Sequence, residues 1–411
     1  MGFAAPMHSV DEILLCCART RLESERDERI KALLQTGTDW ARLLEAASQH
    51  AMMPLLYWHL SALSPPAVPS TAWKRLRDQS SRITGHNLLL AGELLALLTQ
   101  FEANSIPAIP FKGPLLAAFV YDNLALREAN DLDILMRRAD LLRAKDLLLS
   151  QGYRPVTERT AAQEAALLRS HWEYEFVRED GQVMVELHWQ ITPHWEVLPK
   201  PGPSPLDFEC LWQRRRTIPL LGAGIAGLSP EGLLLILCVH GAKHLWRRLS
   251  WIVDVAELIR VHGGDTDWER VLADAGQMDA RRMVLLGLLL ARDLLAAPLP
   301  AIAERKIQAD VVVQRLATQV SAWLFRPIGQ RVGLSKECAF HLHIREKWQS
   351  RLPYLRHYLR AFLLTMVTPN AEDRSFIRLP TSASWLYYLL RPMRLAGKYG
   401  LMPLKRLRRT G

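Results

Sequence analysis

The sequence predicts an α+β fold, with a small mixed sheet and its own helices set between two helical regions. Three observations predict it. Residues 1–104 carry Leu- and Ala-rich runs with few strand signals. Between 105 and 198 the pattern switches to short, branched or alternating segments punctuated by Gly and Pro. From Ser229 onward helix-forming runs return. Period separates the two kinds of element, because apolar residues line one face of a helix every third or fourth position and one face of a strand every second. The organisation expected is an N-terminal helical region 1–104, a core 105–198, a C-terminal helical domain 206–365 and a basic tail 366–411, with the Pro-rich stretch 199–205 as a linker.

Taken in order, Trp40 to Ala47 is a run of helix formers and Leu88 to Leu98 is dense in Leu and Ala. Leu63 to Ser70 holds three prolines and breaks any helix. Ile106 to Phe111 reads as a strand, Lys112-Gly113-Pro114 as a turn, and 115–124 as a helix opened by Pro114, whose fixed φ suits the first turn. Asp131 to Met136 is a strand by alternation. Residues 139–150 are helical and Gly152 ends them. Tyr174 to Val177 and Val183 to Trp189 are two strands joined at the Glu179-Asp180-Gly181 hairpin turn. Ser229 is placed as an N-cap, with Pro230 at the first helical position and helices following to about 365.

Composition narrows the classes. With 411 residues, 49% hydrophobic and 23% charged, the chain suits two or three globular domains. No apolar run reaches the roughly 18 residues of a membrane span, and the N-terminus lacks the basic segment and long apolar stretch of a secretion signal. The five cysteines (Cys16, Cys17, Cys210, Cys238 and Cys338) are odd in number and match no zinc spacing. They read as free thiols, and a cytoplasmic location is expected. Of 52 basic residues, nine follow Asp373, the last acid: Arg374, Arg378, Arg391, Arg394, Lys398, Lys405, Arg406, Arg408 and Arg409. The other 43 face 42 acids. This tail is either a solvated basic segment or a surface for an anionic partner, RNA or an acidic membrane surface. Trp385, Tyr387, Tyr388 and Tyr399 among its charges suit peripheral membrane contact.

Chemistry concentrates in the core. Residues i and i+2 of a strand share a face, so Asp131 and Asp133 project together while Leu132, Ile134 and Met136 pack on the other side. Two neighbouring carboxylates raise each other's pKa, and a divalent cation removes that cost. Mg²⁺ favours a few carboxylates together with substrate phosphates. On the later strand Val183, Val185, Leu187 and Trp189 form one face and Met184, Glu186 and His188 the other. If the strands are neighbours, Glu186 joins the aspartates, and three acids can hold two ions across an in-line phosphoryl displacement. The Lys112-Gly113 turn offers backbone N–H groups and a helix N-terminus to a phosphate. Lys112 can offset phosphate charge, an ordinary loop lysine being the alternative. Arg127, just ahead of the aspartates, can reach a phosphate or an aspartate.

These residues carry a family resemblance. Ile109 to Ala117, then Tyr121, Arg127, Asp131 to Leu135 and Gly152-Tyr153 resemble the bacterial family of uncharacterised nucleotidyltransferases, within the polymerase-beta-like superfamily. Val185 to Trp189, His240 to Trp246, Trp251 to Ala256 and the stretch from Trp40 to Leu60 also fit it, so the likeness runs over roughly 40–400. The resemblance implies a palm-like nucleotidyltransferase core, two Mg²⁺ ions bound by Asp131, Asp133 and Glu186, NTP as donor, and Glu186 helping to activate an acceptor hydroxyl. Where the superfamily carries Gly-Ser at the phosphate turn, this chain has Lys-Gly-Pro. Members accompany biosynthetic clusters for peptide natural products or surface polysaccharides, which implies a peptide, sugar or protein acceptor.

A later segment adds cations. His240, Lys243, His244 and Arg247 fall on one helical face, with Asp254 expected two turns further on the same side. The His pair has zinc spacing, but no third ligand accompanies it. The choice lies between a cationic stripe that meets nucleotide phosphates, together with His188, and histidines packed at a junction. The expected function is Mg²⁺-dependent transfer of a nucleoside monophosphate from NTP to a hydroxyl. The alternatives are a degenerate nucleotide-binding protein and a toxin-like enzyme that modifies tRNA.

Overall fold

A computed structural model of the chain describes residues 8–63, 68–191, 203–326 and 332–368, together with 377, 385–388, 390 and 391. Its first helices are α1 (Ser9–Cys17), α2 (Ser24–Gln35), α3 (Trp40–Gln49), α4 (Met53–Leu63) and the long α5 (Ser70–Ala103). The sheet region follows as β1 (Ala108–Pro110), α6 (Gly113–Tyr121), β2 (Leu132–Met136), α7 (Leu141–Ser150), β3 (Tyr153–Pro155), α8 (Ala161–Ser170), β4 (Glu173–Arg178) and β5 (Met184–His188). Then come α9 (Phe208–Gln213), β6 (Arg216–Leu220), β7 (Ala223–Gly227), α10 (Pro230–Lys243), α11 (Leu249–His262), α12 (Trp268–Gln277), α13 (Arg281–Leu295), α14 (Ala301–Ala309), α15 (Val311–Leu324), α16 (Leu334–Ile344) and α17 (Trp348–Val367).

The five-stranded sheet has the order β1-β2-β5-β4-β3. Only β2 and β5 run parallel; the other neighbours are antiparallel, so the sheet is mixed as expected. One face buries Leu132, Ile134, Met136, Val185, Leu187 and Phe176 with Leu94, Phe101 and Leu148 from α5 and α7. The other carries Ile109, Phe111 and Leu135 into a larger core. That core merges Ile13, Leu43 and Leu56 of the N-terminal helices with Val253, Leu286 and Val320 of the C-terminal ones. Polar ties reinforce it: Arg19 donates to the Leu295 carbonyl at 2.8 Å, and the Leu249 N–H to His50 Nδ1 at 3.3 Å. The helical regions on either side of the sheet in sequence thus share one interior.

Ser229 caps α10 by accepting from the Gly232 N–H, with Pro230 in the first turn, as its residue type favours. Three features depart from expectation. The segment between α9 and α10, inside the region read as helical, holds the β6–β7 hairpin. It closes through Leu221 and Gly222, both at positive φ, the backbone of a two-residue hairpin turn. The short β3 was also not anticipated. The third correction concerns the helix from His240: α10 stops at Lys243, so Arg247 and Asp254 do not continue its face. Leu245 and Trp246 take left-handed backbone, and Trp246 N–H bonds back to the Gly241 carbonyl at 2.8 Å. The buried indole lies against Gly241 and Gly287, where a Cβ would stand 2.5 Å and 3.0 Å from the ring. Packing of one side chain thus overrides the local helix preference.

Of the basic tail, Arg374, Arg378, Arg394, Lys398, Lys405, Arg406, Arg408, Arg409 and Tyr399 lie outside the described residues. Arg391 is described and is buried. All five cysteines are free. Among the described residues, no helix is long and apolar enough to cross a membrane.

Candidate active site

The site is assembled at the turn from β1 into α6. Gly113 has φ +56°, and a Cβ there would lie 2.8 Å from the Asp131 carbonyl oxygen. Only glycine fits a left-handed position with so close a backbone approach. The bend therefore sits against the start of the aspartate segment, with Pro114 in the first turn of α6 and Lys112 at its N-cap.

Register brings the acids together. Asp133 on β2 is paired with Glu186 on β5, and Leu135 with His188. Paired residues on neighbouring strands share a face, so Asp133, Glu186 and His188 project to the same side, with Asp131 one residue ahead of β2. One ligand atom from each of Asp133, Glu186 and His188 lies within 4.8 Å of the others. His188 Nε2 is 3.1 Å from Asp133 Oδ1 and 3.3 Å from Glu186 Oε2. Lys112 Nζ donates to Asp133 Oδ1 at 3.0 Å. The antiparallel partner β4 adds Glu175 opposite Glu186 and Glu173 opposite His188, whose Nδ1 is 3.6 Å from Glu173 Oε2.

Burial and charge set the protonation preferences. Burial alone would raise the Asp133 carboxyl, but Lys112 and His188 hold it well below the usual carboxylate range. Asp131 goes the other way: burial, then the charges of Asp133 and Glu186, push it up. Burial opposes charge on His188, yet its hydrogen bonds to Asp133 and Glu186 raise it to about 9. Burial likewise opposes the Lys112 ammonium, and Asp133 outweighs it. The cluster is thus acidic enough to hold two cationic side chains in place.

Asp131 is held indirectly. Asn87 on α5, fully buried, donates to the carbonyls of Leu124 and Arg127 at 2.6 and 2.7 Å and accepts from Ala129 N–H at 3.1 Å. Arg127 makes a bidentate pair with Asp254 on α11, at 2.8 and 3.1 Å, and Tyr121 donates to the same carboxylate at 2.7 Å. The guanidinium, expected to reach a phosphate or an aspartate, is therefore committed to a buried aspartate, Asp254 rather than Asp131 or Asp133. Both anchors grip the loop that delivers Asp131.

The end of α10 forms a rim. His240, His244 and Trp251 group their rings at 4.7 to 5.4 Å. Burial, and then the Lys112 ammonium, keep His240 neutral well below the usual histidine range. Lys243 Nζ lies 4.8 Å from the centre of the Trp172 ring, and Trp172 donates to Glu173 at 2.7 Å. Arg247 is turned to Glu337.

Asp133, Glu186 and His188 could hold a metal ion. The convergence of three ligand atoms, with a further acid, Asp131, one residue ahead of β2, fits one. Sequence reading had placed His188 with the nucleotide-binding residues. It missed Glu173, Glu175, Asn87 and Trp172. The alternation Glu173-Tyr174-Glu175-Phe176 was the available signal for the first two, since Tyr174 and Phe176 are buried; for Asn87 none existed.

A family model described as "Uncharacterised nucleotidyltransferase" matches residues 36–296, a span that includes every site residue above. No curated protein matches the chain. An antigenic nucleotidyltransferase-like protein from Paracoccidioides brasiliensis is similar among solved structures, at 16% identity and a TM-score of 0.31, covering 53% of this chain and 95% of that one. So loose a superposition transfers no residue roles.

Proposed function

This chain belongs to the uncharacterised nucleotidyltransferase family, and from that membership we propose that it moves a nucleoside monophosphate from NTP to the hydroxyl of a peptide, sugar or protein acceptor, with Mg²⁺, in the manner of polymerase-beta-like enzymes. The observation that supports this most is the register of Asp133 with Glu186 beside the Gly113 bend. Asp131, Asp133 and Glu186 would hold two ions, and His188, against both Asp133 and Glu186, could add a nitrogen ligand. Bound there, Mg²⁺ supplies charge compensation for the triphosphate and the departing pyrophosphate. The chain's own residues do the rest. Lys112 and the N-terminal N–H groups of α6 bind phosphate oxygens. Glu186, less deeply buried than His188 and Asp133, accepts the proton of the attacking hydroxyl. His240, Lys243 and His244 line the nucleotide's approach.

The test is transfer of label from α-labelled NTP to cellular material, read by mass spectrometry as an added nucleotide mass. Labelling should require Mg²⁺ and vanish in Asp131→Asn with Asp133→Asn. Undiminished labelling in that variant overturns the proposal.

A further inference from the structure

Helix α17 presents an apolar stripe with no partner among the described residues. Trp348, Leu352, Leu355, Leu359 and Leu363 are each between 42% and 65% exposed. Their spacings of four, three, four and four residues keep them within one narrow arc of a helix that turns about 100° per residue. The opposite side is anchored: Tyr354 is buried, accepts from Arg345 at 3.0 Å and stacks on His341 at 5.1 Å. Monomeric proteins rarely leave so continuous an apolar row uncovered.

Charge says what covers it. Arg356 and Arg360 flank the stripe on one side by the same helical geometry, and Arg351, which donates to the Arg345 carbonyl at 3.0 and 3.2 Å, flanks it on the other. No acid occurs between Glu346 and Glu372, and the chain after Glu346 holds 13 basic residues against two acidic ones. A second copy of the helix laid on this face would set arginine rows against each other with no carboxylate on either helix to pair them. A nucleic-acid backbone would satisfy the arginines and leave the leucines bare. An anionic lipid surface meets both demands, taking the leucines among its acyl chains and the arginines among its phosphates. The helix is not one that could cross a membrane, so it would lie along it.

We propose that α17 docks the protein on anionic phospholipid membranes, with its leucine stripe immersed at the headgroup boundary. This places transfer chemistry at a membrane face and does not depend on the identity of the acceptor. The experiment is co-sedimentation of the full chain with vesicles of phosphatidylcholine alone and of phosphatidylcholine mixed with phosphatidylglycerol. Binding is expected to the anionic vesicles. Leu355→Gln with Leu359→Gln should weaken it at least about tenfold. Arg356→Gln with Arg360→Gln should weaken it about 30-fold, toward the level seen on neutral vesicles. All four positions are exposed, so circular dichroism should not change. Wild-type protein that stays in solution with anionic vesicles overturns the proposal without reference to any variant. So does equal sedimentation of wild type and both variants. Self-association or RNA binding that the leucine variant abolishes, with vesicles ignored, assigns the face to another partner and likewise overturns it.

Discussion

Replacing Gly113 by alanine tests the construction of the site at its tightest point. The residue sits at φ +56°, where an L side chain costs about 1–2 kcal/mol. The added Cβ would also stand 2.8 Å from the Asp131 carbonyl oxygen, a backbone atom that cannot swing aside like a side-chain tip. Relieving that overlap shifts the bend or the Asp131 segment, at a further cost of about 1–3 kcal/mol. Gly113→Ala should therefore destabilise the protein by about 2–5 kcal/mol. The kinetic effect should be larger than stability alone implies, because displacing a catalytic carboxylate by a fraction of an ångström to an ångström slows chemistry by up to about 100-fold. Gly92→Ala is the control: it lies in α5 with nothing within 4 Å of its added Cβ, and should stabilise by up to about 1 kcal/mol. Thermal melts and single-turnover transfer at saturating NTP read the two effects. A Gly113→Ala protein that melts and turns over like Gly92→Ala refutes the close approach of bend and aspartate.

Other outcomes follow from the same geometry. Arg127→Met leaves Asp254, 1% exposed, with Tyr121 as its one remaining side-chain partner among the described residues, and should cost about 3–5 kcal/mol in urea unfolding; adding Asp254→Leu should restore part of it. A loss under half a kcal/mol would show the pair to be solvated. Lys112→Met should lower transfer about 100-fold or more, since Lys112 lies on Asp133, whereas Lys243→Met at the rim should act mainly on KM for NTP; the reverse ranking would move the phosphate site to α10. Burial, and then Arg248, lower the His50 pKa from 6.5 to about 4. The unfolded chain therefore binds the proton first as pH falls, so stability is full above about pH 6.5 and declines toward pH 4 by up to about 3 kcal/mol. His50→Asn, whose Oδ1 takes the place of Nδ1 and can accept from the Leu249 N–H, should flatten melting temperature over that window; an unaltered slope would assign the loss to other groups.

Legibility of the fold tracked the range of the forces involved. The faces of the two strands that carry Asp133 and Glu186 could be read because alternation is local, while their pairing stayed conditional: Val183, Val185 and Leu187 need one face, which leaves Glu186 and His188 on the other. The cap at Ser229 and the bend at Gly113 were legible for the same reason. The end of α10 was not, because it depends on Gly287 of α13 leaving room for the Trp246 ring. Asp254 was read onto the wrong helix face for that cause, and its true partner, Arg127, lies 127 residues away. The β6–β7 hairpin escaped because its turn is Leu-Gly rather than the Asn-Gly or Asp-Gly that marks such turns most clearly.

The flanking helices belong to the site's construction. A carboxylate pushed toward protonation by burial and then by neighbouring acids, as Asp131 is, gains by moving toward water and away from them unless its backbone is fixed. Its preceding loop is fixed twice, by Asn87 from α5 and by Asp254 from α11. Those two helices come from opposite ends of the sheet region in sequence, and the larger core joins the N-terminal helices to α11. Loosening that core at a distance, for example with Leu56→Ala on the buried face of α4, should therefore reach the reaction through Asp131 before it reaches Asp133, which is held within the sheet by its own strand pairing and by Lys112.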